Sequence, residues 1–472
     1  MRLQNALSWT LISVGIRYAL KLLGNLALAR MLSPDDFGLA AIVMSVVTGI
    51  EAITDVGTRS ALIRSHRTDD DWLDTAWTLG LIRGAGITII IAISSIPIAD
   101  FFEDDRLAAL VAVTALMSFL VGLSSITAVT NIRNLEVKRL TILDTASAIV
   151  GYVVMLGWAY FSPSAWALIS GALVSTGAFA FASWFWLGPR RVRLRWDPEV
   201  IRELMNFGKW VFFSSIAGFI IVQGDRVGVG KLVGITAIGV YSIGQTWSFA
   251  LRALIEMVLS RIYLPVVSEL CRRSSDFASK ILIMRRTVIA ALIIPFAFGA
   301  AFAQPLIGLL YPEEYAGAGA IMQVLVVGGW FSTLESLYND QLIAKGEPAW
   351  HFSVQAFSIV VMGLVFLAMF SDGFSAIDFA YIFSGGAVVR GIAMLLAAER
   401  DTIMKIFPDL GLTAVLLGLI YILATMFVTP FGTSSPLTVL VGGFLVMLPF
   451  GAGICWWAIK RILAAWDELT LT

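Results

Sequence analysis

Charge is scarce in this chain of 472 residues. Asp, Glu, Lys and Arg make up 14% of it, against about 25% in a soluble domain. So little polar surface cannot clothe a water-exposed fold, which excludes a soluble enzyme, a nucleic-acid binder and a disordered scaffold. Cysteine is nearly absent: Cys271 and Cys455 provide no disulfide framework and no zinc cluster. His66 and His351 are the two histidines, too few for a histidine metal site, and neither metal nor cofactor is expected. Net charge is missing too. Lys+Arg and Asp+Glu tie at 33 each, so only the placement of charge can inform.

Apolar residues are abundant. They form 58% of the chain, with 30 Phe and 15 Trp, and the mean hydropathy is +0.85. A helix crossing about 30 Å of hydrocarbon needs roughly 20 mostly apolar residues. Fourteen such runs are found, near 6–28, 37–57, 75–98, 107–131, 140–161, 165–187, 207–229, 237–258, 287–310, 317–338, 352–370, 377–397, 410–429 and 437–459. Barrel strands are about ten residues of alternating polarity and do not fit. The expected fold is all-α, a polytopic membrane protein of about 14 transmembrane helices.

Basic residues alternate between loops. Arg59, Arg64 and Arg67 follow span two, and Arg133, Lys138 and Arg139 follow span four. Arg190, Arg191, Arg193, Arg195, Arg202 and Lys209 follow span six, and Arg261, Arg272, Arg273, Lys280, Arg285 and Arg286 follow span eight. The intervening loops hold little beyond Arg30, Arg106 and Lys231. Cytoplasmic loops carry the Lys/Arg excess, so both termini are expected in the cytoplasm. Ala27-Leu28-Ala29 fits a signal-peptidase pattern, but Arg17 and Lys21 interrupt the apolar core such a peptide needs.

A duplication is also legible. The segment Arg30-Met31-Leu32-Ser33-Pro34-Asp35-Asp36-Phe37-Gly38-Leu39-Ala40 matches Lys231-Leu232-Val233-Gly234-Ile235-Thr236-Ala237-Ile238-Gly239-Val240-Tyr241 in pattern. The offset, 239 − 38, is 201. Each segment follows the first span of a six-span set, so the repeats are parallel, a relation that goes with an axis along the membrane normal. Residues 1–187 are then one six-helix lobe, 188–209 a basic cytoplasmic linker, 210–400 a second lobe, and 401–472 two additional helices.

Charges inside spans are costly, about 2.5–3.5 kcal/mol each on insertion scales. Here they are Arg17, Lys21, Arg83, Arg226, Arg252 and Arg390, with Glu51, Asp55, Asp144, Asp225, Glu256 and Glu335. Arg17 and Lys21 are four apart and share one helix face. Either something anionic or wet lies opposite them, or they pair with Glu51 or Asp55 of the next helix. Arg252 and Glu256, also four apart, can neutralise each other. Asp144 reads as a snorkelling or capping residue, and Arg390 and Glu335 as span-end residues. Trp210, Trp247 and Trp330 suit a sugar ring, but equally an interfacial belt or packing. Gly224–Lys231 is glycine-rich and ends in lysine, yet lacks P-loop spacing and the following Ser/Thr. No enzyme is expected, and transport must draw on an ion gradient, on membrane potential or on substrate consumption at the far side.

Several segments have a familiar look. Leu32-Ser33-Pro34-Asp35-Asp36-Phe37-Gly38-Leu39 resembles the first loop of polysaccharide transporters of the Wzx type. Asp55-Val56-Gly57-Thr58-Arg59-Ser60-Ala61-Leu62-Ile63 resembles the end of their second span. Gln223-Gly224-Asp225-Arg226-Val227-Gly228-Val229-Gly230-Lys231-Leu232-Val233-Gly234 and Gly239-Val240-Tyr241-Ser242 resemble their seventh-to-eighth span region, and Leu310-Tyr311-Pro312-Glu313-Glu314-Tyr315 the outer segment after span nine. The family lies in the multidrug/oligosaccharidyl-lipid/polysaccharide exporter superfamily. The resemblance implies two six-helix lobes in a V shape and alternating access through a cationic central cavity. It implies a lipid-linked oligosaccharide on undecaprenyl pyrophosphate, moved from the cytoplasmic to the periplasmic leaflet of a bacterial inner membrane. It implies pyrophosphate contacts at Arg17, Lys21 and Arg252, to which the charge pattern adds Arg83. Glu51, Asp55 and Glu256 are the candidates for ion coupling. The partners implied are the lipid-linked sugar, membrane lipids, and a polymerase with its export machinery; no nucleic acid is expected. The alternatives are an ion-coupled multidrug antiporter of the same fold and a membrane polysaccharide polymerase or ligase.

Overall fold

The computed structural model describes residues 2–54, 69–134, 136–188, 192–273, 277–345, 347, 349–369, 374–400, 407–425 and 440. Among them every α or β element is a helix. The chain is an all-α polytopic membrane protein. Nine helices among the described residues are long and apolar enough to cross a membrane, and each coincides with an expected span. Spans one, seven and eight are present as helices that carry charge within their length. Span thirteen is a shorter apolar helix, and span fourteen lies outside the described residues.

The chain divides into two compact units, the first running to Ser242 and the second starting at Ile243, within one long helix. The first unit holds α1 (Arg2–Leu28), α2 (Pro34–Ile53), α3 (Asp70–Phe102), α4 (Arg106–Thr114), α5 (Leu116–Leu123), α6 (Thr127–Arg133), α7 (Val137–Phe161), α8 (Ala165–Trp186), α9 (Pro198–Leu232) and the start of α10 (Ile235–Arg273). Within it α1 packs on α7, α7 on α8, α3 on α5, and α2 on both α4 and α9.

Local chemistry explains the helix ends. Ser33 caps α2: its hydroxyl accepts from the Asp36 N–H at 3.3 Å, and Asp36 accepts in return from the Ser33 N–H at 3.2 Å. Pro34 begins the helix with no N–H to leave unpaired, and Asp35 and Asp36 sit at its positive end. Asp197 caps α9 in the same way, accepting from the N–H groups of Glu199 and Val200. Between α9 and α10 the chain turns through Gly234 at φ +119°, a conformation that costs other residues strain.

The stretch expected as a basic linker is partly helix and is not slack. Its second half opens α9, and Val200, with Val192 before it, packs into a cluster of Trp72, Leu73, Ala76 and Ile126. Arg195 pairs with Asp71 at 2.6 Å, and its N–H donates to Thr78 Oγ1 at 3.1 Å.

Span four, expected as one helix over 107–131, is broken into α4, α5 and α6. Breaks in a membrane helix leave carbonyls that need donors. Here the indole N–H of Trp184 donates to Leu123 O at 3.0 Å and that of Trp77 to Ser124 O at 3.2 Å. The two rings meet edge to face at 5.7 Å. Thr88 donates to Ala115 O at 2.8 Å, at the joint between α4 and α5.

The second unit holds the rest of α10, then α11 (Phe277–Ala301), α12 (Ala303–Leu310), α13 (Gly317–Ala344), α14 (Ala349–Met369), α15 (Ala376–Ala398) and α16 (Phe407–Leu423). The expected span nine is likewise two helices, α11 and α12. Of the nine candidate spans among the described residues, the best buried contains α13, which packs on α15 and α11. Trp330 of α13 is 1% exposed, meets Phe296 edge to face at 5.6 Å, and donates to Thr413 Oγ1 of α16 at 3.3 Å. Of the alternatives for Trp330, its role is packing.

Candidate functional site

The basic face of α1 survives in three dimensions. Arg17 Nη1 meets Asp144 Oδ2 of α7 at 2.8 Å, with the side chains 57% and 34% exposed. Arg17 therefore has a carboxylate partner, but one from α7 rather than from α2. A guanidinium carries five N–H donors, and this contact engages a single nitrogen. Asp144 is an ion-pair partner rather than a cap. Lys21, one turn on, is half-buried and has no hydrogen-bonding or ionic partner among the described residues. Arg226 of α9, a charge of like sign, acts on it electrostatically.

Arg226 and Asp225 are adjacent and diverge. Asp225 is 3% exposed and accepts the Tyr241 hydroxyl at 2.7 Å. Arg226 donates to Gln223 Oε1 at 3.3 Å. One side of α9 is thus satisfied by a carboxylate–phenol bond, while its other side adds positive charge near α1.

Two other expected residues of this unit, Arg83 and Glu51, make contacts within it. Arg83 of α3 donates through Nε to Thr54 O at 2.9 Å and through Nη2 to Glu51 O at 2.7 Å. It thereby closes the C-terminus of α2, where a cation suits the helix dipole. The Glu51 carboxylate accepts from Ser118 of α5 at 2.8 Å. Asp55 lies outside the described residues.

In the second unit Arg252 Nε pairs with Glu256 Oε1 at 2.8 Å along α10, the side chains 35% and 31% exposed. The Arg252 guanidinium also lies 5.9 Å from the Phe249 ring. The spacing of four had offered this pairing, and the helix realises it.

A second set of charges was not singled out from the sequence. Arg285, grouped with the loop cations, is fully buried at the start of α11. Its Nη1 donates to Gln341 Oε1 at 2.8 Å and Glu399 Oε1 at 2.6 Å, and its Nη2 to Asp409 Oδ2 at 2.7 Å. Arg286 reaches Asp409 Oδ1 at 3.2 Å and the Tyr338 hydroxyl donates to Asp409 Oδ2 at 3.3 Å. Burial pushes the Glu399 carboxyl up, but the Arg285 hydrogen bond and charge outweigh it and hold it below its ordinary value. Elsewhere in the unit, Arg390 pairs with Glu335 at 2.9 Å and donates to Ser358 at 3.3 Å. Apart from Arg286, which is 31% exposed, these charged groups are buried, and each is paired with an opposite charge, although Arg285 Nε finds no acceptor among the described residues; they act as braces. Arg17 and Lys21 differ: they keep donors to offer. An exposed guanidinium and a half-buried ammonium on one helix face can grip the oxygens of a phosphate-class anion, the guanidinium bidentately.

A family model described as "Polysaccharide biosynthesis protein" matches residues 27–320. The succinoglycan biosynthesis transport protein ExoT of Rhizobium meliloti (strain 1021) is 21% identical over 347 residues, covering 72% of this chain and 69% of that protein. The lipopolysaccharide biosynthesis protein WzxC of Escherichia coli (strain K12) is 19% identical over 354 residues, 74% of this chain and 71% of that one. Among solved structures, the lipid II flippase MurJ in an inward closed conformation gives a TM-score of 0.73 at 15% identity, over 95% of this chain and 99% of that chain. An inward-facing multidrug resistance MATE family transporter of the MOP superfamily gives 0.56 at 16% identity, over 86% and 99%. At these identities the structural likeness speaks to the fold alone.

Proposed function

The chain belongs to the polysaccharide biosynthesis protein family, whose model spans more than half of it, and from that premise we propose that it is a flippase. Its cargo is an oligosaccharide repeat unit on undecaprenyl pyrophosphate, moved from the cytoplasmic to the periplasmic leaflet of a bacterial inner membrane by alternating access. Both termini face the cytoplasm, on the alternation of basic loops. The names of the relatives, a transport protein for succinoglycan and a lipopolysaccharide biosynthesis protein, support the substrate class.

One observation carries the reading: helix α1 presents Arg17 and Lys21 on one face, the first more than half exposed and the second without a hydrogen-bonding or ionic partner among the described residues. Pyrophosphate is multiply anionic and cannot cross hydrocarbon unaided. Cations fixed in a low-dielectric setting attract it more strongly than they would in water. Binding must stay moderate, since a transporter needs two arrangements of similar energy. The Asp144 carboxylate beside Arg17 supplies that moderation by competing with the cargo. Arg252, tied to Glu256, offers the second unit's cation to the same class of anion. Arg83, committed to the end of α2, sets the shape of the first unit. Glu51 and Glu256 are the described candidates for coupling to an ion, and a polymerase is the partner that consumes the product.

The test is replacement of Arg17 and Lys21 by Gln, singly and together, in cells making the polysaccharide. Completed lipid-linked repeat units should accumulate on the cytoplasmic face, with protein abundance unchanged. Normal export by all three variants sinks the assignment. A polymerase would instead leave single units facing outwards, and a multidrug antiporter would leave the polysaccharide untouched.

A further inference from the structure

Helices α1 and α7 of the first unit pack side by side and run in the same direction. Arg17 meets Asp144 at one level, and Gly24 meets Tyr152 at another. Seven residues separate the two α1 positions and eight the two α7 positions, a climb of about 10–12 Å on each helix. Gly24 is what lets the second contact form. A methyl group there would run into the edge of the Tyr152 ring, so the ring rests directly on α1.

Arg17, Lys21 and Gly24 form one stripe of α1. On α7 the positions at matching levels are Asp144, Ala148 and Tyr152. Lys21 stands at the level of Ala148, one turn past the carboxylate, and a methyl group offers its ammonium nothing. This register explains why Lys21 has no hydrogen-bonding or ionic partner among the described residues. Helix side chains lean towards the N-terminus, so the Tyr152 phenol leans back along the seam towards Lys21 and Arg17. Arg17 acts on it electrostatically. Tyr152 is half-buried, and its hydroxyl also has no hydrogen-bonding partner among the described residues. These residues thus bring together a guanidinium, an ammonium and a phenol, with the Asp144 carboxylate as their one acceptor. A half-buried donor without an acceptor is costly, and three along one seam suit an anion with several oxygens.

We infer that Tyr152 is the neutral third donor of the headgroup site, its hydroxyl donating to a phosphoryl oxygen held by Arg17 and Lys21, with Gly24 as the residue that positions it. The inference deepens the flippase reading above and rests on it. A phenol adds a directional hydrogen bond without adding charge. A third cation would instead repel its neighbours and tighten the grip on the anion, against the moderate binding that transport needs. A ring already seated on glycine has little freedom to lose when the anion arrives.

The experiment measures binding of undecaprenyl pyrophosphate to the purified full chain in detergent micelles. It compares the unaltered protein, Tyr152→Phe, Gly24→Ala and the double variant. Phe keeps the ring against Gly24 and removes only the hydroxyl. Loss of a hydrogen bond to a charged group should weaken binding about 10- to 100-fold. Gly24→Ala keeps the phenol but pushes it off α1, and should weaken binding by a similar factor. The double variant should bind no worse than Tyr152→Phe, since a displaced ring without its hydroxyl has nothing further to lose. Losses that multiply overturn the role of Gly24.

Unchanged binding by Tyr152→Phe, where Arg17→Gln loses it, overturns the inference and leaves the flippase reading standing. A loss that arises only when a sugar is joined to the pyrophosphate also overturns it, because the phenol then reads the sugar. If Tyr152→Phe fails to fold, Gly24→Ala decides in its place, and undiminished binding by it overturns the inference. If the unaltered protein binds no pyrophosphate lipid, the inference and the reading beneath it fall together.

Discussion

Two ion pairs of similar length should behave oppositely when one carboxylate is neutralised. Arg17–Asp144 measures 2.8 Å and Arg285–Asp409 2.7 Å. The first pair is 57% and 34% exposed, the second 0% and 1%. An exposed pair trades its attraction against solvation and side-chain freedom, and is worth about 0–1 kcal/mol. Removing one partner of a buried pair leaves a charge with neither water nor countercharge, at a cost of about 3–5 kcal/mol. Asp409→Asn keeps an amide oxygen that Arg285 can reach, and Glu399 remains, so the lower end of about 3 kcal/mol applies. That is about a hundredfold in the unfolding equilibrium. Unfolding in mixed micelles, followed by the fluorescence of the 15 tryptophans, should shift strongly for Asp409→Asn and hardly for Asp144→Asn. Replacing the buried charges, with Arg285→Met, Asp409→Leu and Glu399→Gln together, should recover most of the loss, because no buried charge is then stranded and Arg286, 31% exposed, keeps access to water. Equal stability of the two single variants would refute the reasoning, and so would a triple variant weaker than Asp409→Asn.

Other expectations follow from the same geometry. Trp184→Phe strands the Leu123 carbonyl at the break in span four and should cost about 1–3 kcal/mol, measured by the same unfolding assay, with Trp77→Phe acting alike on Ser124. Arg83→Met should lower stability without changing the headgroup affinity of the protein that remains folded, whereas Arg17→Gln should do the reverse; binding of a pyrophosphate lipid to purified protein separates them. Lys231 holds the Glu103 carboxyl below its ordinary value of 4.5. The stabilisation from that pair is therefore present above this value and lost as pH falls through the lower folded one. Glu103→Gln should accordingly flatten the acid limb of the stability curve below about pH 4, and an unchanged limb would discount the pair.

Much of the fold was legible because hydropathy reports spans directly. A short pattern repeated at an offset of 201 was legible too. Arg252–Glu256 could be read because its partners share one helix. Arg17–Asp144 could not, since its partners are 127 positions apart and periodicity says nothing about which helices become neighbours. Arg285 escaped for a related reason. Counting loop cations treats Arg285 and Arg286 alike, while only the fold reveals carboxylates 114 and 124 positions away turned onto the first. The break in span four carried a faint signal in Ser124-Ser125, a pair prone to kink a helix. The indoles that make the break tolerable lie on other helices.

The Arg285 cluster sets an order of events during synthesis. Its cation enters the membrane with α11, yet Asp409, on α16, emerges 124 residues later. Until then the second unit holds a guanidinium whose countercharge is incomplete. The nascent chain must keep Arg285 near the aqueous edge or in the care of the insertion machinery, and draw it inward once α16 arrives. Helix α16 is thus a closing piece, and a chain ending near residue 400 should be a substrate for quality-control proteolysis rather than a smaller transporter.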